Sequence, residues 1–164
     1  MEIFVADEQD EVEMDLDRLV RLARSVLAQE KVNEDADLSV IFLDEFAMTE
    51  LNKSFLNGDY PTDVLAFPMD EDFEPEIRET GPGGRLSDPG EPPLLLGDVV
   101  LCPAVAKKQA EERGAPVQDE VDLLFVHGIL HLLGYDHATV EEAKAMQAKE
   151  RKLLESFERA VKSK

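Results

Sequence analysis

A chain of 164 residues with 43% hydrophobic content is long enough to form one domain with a real core. No apolar run reaches the length of a membrane span, and the opening Met1-Glu2-Ile3-Phe4-Val5 lacks the basic region of a signal peptide. The single cysteine, Cys102, excludes an internal disulfide framework, so the expectation is a cytoplasmic protein with no membrane partner. The formal net charge of −20 argues against a broad grip on nucleic acid, which normally rests on a basic surface. Any RNA contact must then use a local basic groove, a metal or a basic partner.

Ile3-Phe4-Val5 predicts a first strand. Asp15 or Asp17 can cap a helix in which Leu16, Leu19, Val20, Ala23, Val26 and Leu27 recur at helical spacing, with Arg18, Arg21 and Arg24 on a solvated face. Leu38 to Leu43 is β-branched and aromatic and predicts a second strand. A helix capped by Asp44 should follow, with Phe46, Leu51 and Phe55 facing inward. Turn residues from Asn57 to Asp63 lead into Val64-Leu65-Ala66-Phe67-Pro68, a strand that Pro68 ends or leaves on an edge.

Residues 70–93 hold five prolines, four glycines and many acids, with almost nothing to bury, and read as a flexible surface insertion. Strand character returns from Leu94 to Cys102. Pro103 opens a helix to Arg113, which Gly114 closes, and Pro116 opens the next. Thr139 with Glu142 forms a capping box for the last helix, whose apolar face is Ala143, Met146, Leu153, Phe157 and Val161. This order predicts a single α+β domain over residues 1–164, with a mixed four-stranded sheet and about five helices.

All three histidines fall within His127-Gly128-Ile129-Leu130-His131-Leu132-Leu133-Gly134-Tyr135-Asp136-His137. On a helix, His127 and His131 lie one turn apart on one face. Gly134 can stop the helix in a left-handed conformation and turn His137 back toward them. Three neutral imidazoles at three corners suit one zinc ion and keep its fourth position open, the pattern of catalytic rather than structural sites. The spacing equals that of metzincin peptidases, H-E-x-x-H-x-x-G-x-x-H, but Gly128 stands where their glutamate base would be.

Three segments together resemble the YbeY family of bacterial metal-dependent endoribonucleases. His127 to His137 matches that family's H-G-x-x-H-x-x-G-Y-D-H signature at every fixed position, Pro61 to Pro68 is similar to its P-T-D-V-L-S-F-P, and Gly97 to Leu101 to its G-D-I-V segment. The resemblance implies a zinc held by His127, His131 and His137, and a part in maturation of the 3′ end of 16S ribosomal RNA and in ribosome quality control. One departure stands out: Leu51-Asn52-Lys53-Ser54-Phe55 keeps a family pattern, yet Leu56 occupies the place of an arginine associated with RNA binding or catalysis. Leucine cannot donate to a phosphate, and Lys53 and Arg85 are the candidates for that role.

The leading expectation is therefore a zinc-dependent endoribonuclease specific for single-stranded RNA, with the small ribosomal subunit or its proteins as partners. Asp63 and Asp136 are candidate catalytic carboxylates for orienting water or a ligand histidine, against the plainer reading of each as a local backbone acceptor. Two alternatives compete. One is a zinc peptidase, opposed by Gly128. The other is a non-catalytic, zinc-binding ribosome-assembly module, favoured by Leu56 and the acidic charge; Cys102 as a fourth ligand would close its site.

Overall fold

The structure, a computed structural model, describes residues 2–56, 58–69 and 95–162. The expected insertion at 70–93, Arg85 and the side chain of Leu56 lie outside the described residues. The elements run β1 (Ile3–Glu8), α1 (Leu16–Gln29), β2 (Asp37–Leu43), α2 (Glu45–Leu56), β3 (Val64–Pro68), β4 (Leu95–Leu101), α3 (Pro103–Arg113), α4 (Val117–Leu132) and α5 (Val140–Lys162). That is the expected order, in a small α+β domain.

The four strands form one sheet in the order β1-β2-β4-β3. β1, β2 and β4 are parallel, and β3 runs antiparallel to β4 with Val64 opposite Leu101 and Pro68 opposite Gly97. Pro68 has no N–H to donate, which suits the end of an edge strand. Side chains alternate between two cores, as a period of two requires. Val40, Phe42, Val99, Leu101, Val64 and Ala66 face the large core with α1, α4 and α5, whereas Ile41, Val100, Leu65 and Phe67 face a smaller one with Met48 of α2. Each fully buried Leu or Phe contributes about 1.5–3 kcal/mol, so the larger cluster fixes how α4 lies on the sheet.

Expectations on three helices need correction, the simplest on α5, where Val161 is exposed rather than part of the apolar face. On α2 the buried side chains are Met48 and Asn52, one turn apart, while Phe46 is 77% and Phe55 63% exposed. The reason is polar: Asn52 donates its amide to the Tyr60 carbonyl at 2.9 Å, fastening the helix to the loop before β3. On α1, Leu22 is buried where Val20 was expected. Arg18 also leaves the solvated face to bond Asp122 of α4 at 2.9 Å. Burial pushes the Asp122 pKa above the usual carboxylate value despite Arg18 and Gln118, while the bond to Asp122 raises that of Arg18.

The helix ends follow their sequence signals. Asp15 caps α1 through the Arg18 N–H, Gly114 closes α3 at φ 68°, and the Glu142 N–H donates to Thr139 Oγ1. Each places a short turn where the next element must start.

Candidate functional site

Helix α4 carries His127 and His131 one turn apart, facing outward from a helix whose other side is core. Their Nε2 atoms are 3.1 Å apart. After α4, Gly134 takes φ 97°, a conformation costly for other residues, and turns the chain. His137 then returns with its ring 4.9 Å from that of His131 and 5.5 Å from that of His127, centroid to centroid. One ring nitrogen from each histidine lies within 4.8 Å of the others. Two nitrogens bound to one tetrahedral zinc sit about 3.3 Å apart, so the cluster is compatible with a metal site.

Two contacts hold this geometry. Glu150 of α5, almost fully buried, has Oε1 2.5 Å from His127 Nδ1. A proton on Nδ1 leaves the Nε2 lone pair directed at the other two rings. The turn bearing His137 is anchored by the Tyr135 hydroxyl, which donates to Glu30 Oε1 at 2.5 Å; Lys149 of α5 pairs with the other Glu30 oxygen at 3.1 Å. Burial, and then the charges of His127 and His137, hold the His131 pKa below the ordinary histidine value. The neutral imidazole is the form that binds metals.

The histidines open on a cleft of about 920 Å³ between β3, α3, α4 and α5, whose wall also includes Asp63, Gln109, Arg113, Glu120, Gln147 and Glu150. Asp63 reaches this cleft. Its Oδ1 accepts the Val64 N–H at 2.7 Å and its Oδ2 accepts from Gln109 at 3.2 Å. Asp136 does not line the cleft, and its Oδ1 accepts the His137 N–H at 2.7 Å. Both carboxylates thus serve the local backbone, and only Asp63 also faces the space a substrate would enter. Cys102 packs with Met48, Val100 and Ala104 in the smaller core and is absent from the donor cluster. Burial raises its thiol pKa.

Gly128 explains the departure from the peptidase pattern. A Cβ there would lie 2.8 Å from Val99 Cγ1 and 3.2 Å from Val64 Cγ2, so the helix rests on the sheet at this point. A glutamate there would press on Val99 and Val64 from its first carbon, and one of them would have to shift.

Glu150 and Arg113 were not anticipated from the sequence, although Glu150 left a signal. It falls between Met146 and Leu153 on the apolar face of α5, where a charge must find a buried partner. Arg113 read only as the last residue of a helix.

The family model described as Endoribonuclease YbeY matches residues 4–158. The chain is 48% identical over 161 residues to Endoribonuclease YbeY of Thermobifida fusca, covering 98% of this chain and 97% of that one. It is also 48% identical over 157 residues to Endoribonuclease YbeY of Salinispora tropica, with 96% of each covered. Its backbone is similar to the solution structure of TM1509 from Thermotoga maritima, with a TM-score of 0.63, 26% identity, and 98% and 92% of the two chains covered. With likeness of this extent in sequence and fold, the chain belongs to the YbeY family of endoribonucleases.

Proposed function

We propose that this protein is a zinc-dependent endoribonuclease that hydrolyses single-stranded RNA, with His127, His131 and His137 holding one zinc ion. The observation that carries this reading is the convergence of three histidine nitrogens within 4.8 Å on the wall of an open cleft. Zinc bound there would supply water activation near neutral pH, at a pKa of about 7, and polarisation of a phosphoryl oxygen. The chain's own residues prepare the site for that chemistry. Glu150 accepts a hydrogen bond from His127 Nδ1 and fixes its ring, burial favours the neutral form of His131, and the Tyr135–Glu30–Lys149 link holds the turn that presents His137.

Asp63 is the carboxylate better placed to accept a proton from water in the cleft, since Asp136 is committed to the His137 backbone outside it. A part in 16S ribosomal RNA 3′-end maturation and ribosome quality control, in the cytoplasm and beside small-subunit proteins, rests on the family likeness. Among the described residues no helix is long and apolar enough to cross a membrane. Gly128 opposes the peptidase reading, since it lacks the glutamate base and a side chain there would crowd Val99 and Val64.

The test is metal removal. Chelation should abolish cleavage of a single-stranded ribosomal RNA fragment, and one equivalent of zinc should restore it. Cleavage that persists in a chain shown to be metal-free would contradict the proposal.

A further inference from the structure

The cleft has to hold a polyanion, yet the acids on its wall are Asp63, Glu120 and Glu150. Each already has a partner: Val64 and Gln109 for Asp63, Arg113 for Glu120, and His127 for Glu150. Among the described residues lining the cleft, Arg113 is the single lysine or arginine. We infer that Arg113 contacts a backbone phosphate of the bound single strand, an inference that deepens the nuclease reading and rests on it.

The geometry around Arg113 supports this role. It is the last residue of α3, and its Nη1 donates to Glu120 Oε2 of α4 at 3.1 Å. The glutamate side chain is 3% exposed and the arginine 61% exposed. Glu120 therefore acts as a buried anchor behind a guanidinium that still faces solvent. An arginine has five N–H donors in a rigid fork, and one nitrogen bonded to the anchor leaves others for an anion. Such a fork binds phosphate with directed, charge-assisted hydrogen bonds. Gln109, one turn before Arg113 on the same helix, and Gln147 of α5 add neutral amide donors to the wall. In a chain of net charge −20, one braced cation on the wall of the cleft that the histidines share gives a backbone phosphate a partner without a wide basic surface.

A plain ion pair closing a helix end is the competing role, and the salt dependence of binding separates the two. The probe is a short 2′-O-methyl single-stranded oligoribonucleotide, which binds without being cut, titrated against zinc-loaded protein over a range of salt. Arg113→Ala alone leaves Glu120 buried without its partner, so the double variant Arg113→Ala/Glu120→Gln is tested beside it, together with Arg113→Lys. With zinc content and thermal midpoint matched to the unsubstituted chain, the double variant should bind about tenfold more weakly. The slope of log affinity against log salt should fall by about 0.7, the loss of one phosphate contact on a single strand. Arg113→Lys should recover part of the affinity, because it keeps the charge and loses the fork.

Unchanged affinity and slope in a folded, zinc-loaded double variant would overturn the inference. An unsubstituted chain that binds RNA without cutting a native strand, and shows the same loss of slope on substitution, would overturn the hydrolysis reading and support the Arg113 contact. An unsubstituted chain that binds no RNA would overturn both.

Discussion

At the scale of single residues, the site depends on a carboxylate outside the histidine motif. Glu150 has no evident purpose on an apolar helix face until its 2.5 Å approach to His127 Nδ1 is considered. A carboxylate at that nitrogen orients the ring and raises its basicity, and losing such a partner typically lowers metal affinity about 10–100-fold. Glu150→Gln keeps the shape and an acceptor oxygen but removes the charge. It should fold with a near-native thermal midpoint and bind zinc more weakly by that factor, as read by competition with a chromophoric chelator. Native affinity would show that Glu150 merely fills space. Gly128 teaches the complementary lesson. Val99 Cγ1 lies 2.8 Å from where its Cβ would be, so the close approach of helix and sheet at this position suits glycine.

At the scale of elements, α2 shows where hydrophobicity alone misleads. Phe46, Leu51 and Phe55 form an obvious inward set by apolar character, yet only Leu51 packs on the smaller core, and the helix is seated chiefly by Met48 and the buried amide of Asn52. Phe55 instead lies edge-on to Phe67, 5.4 Å between centroids, near the surface. Asn52→Ala should destabilise the fold by about 1–3 kcal/mol, because the Tyr60 carbonyl loses its donor. Phe46→Ala should stay within about 0.5 kcal/mol of the unsubstituted chain. Chemical denaturation measures both, and the reverse ranking would contradict this seating of α2. The other helices were legible because their signals are local. Asp15, Gly114 and Thr139 act on their own turns, and Gly134 needs only its own backbone freedom to return His137. Asn52, Arg18 and Glu150 were not legible in the same way. Their partners Tyr60, Asp122 and His127 are 8, 104 and 23 residues away, and such pairings are set by the tertiary fold.

For the whole molecule, the sheet and the large core bring α4 and α5 together at one cleft, whose wall draws on both helices, on α3, on the turn that carries His137 and on β3 with the adjoining Asp63. The three-histidine cluster was readable in one eleven-residue stretch, because helical periodicity and one glycine turn suffice to converge it. The cleft wall was not readable, since Gln109, Arg113, Glu120 and Gln147 come from three helices whose packing angle no local pattern states. The acidic charge of the chain is reconciled with an RNA substrate by partnering each cleft carboxylate and leaving one braced guanidinium on the wall. The most direct test of this account is cleavage of a single-stranded ribosomal RNA fragment by the purified, zinc-loaded chain, run beside His131→Ala. The account predicts cleavage by the unsubstituted protein and its loss in the variant, with folding retained. Equal cleavage by both would contradict it.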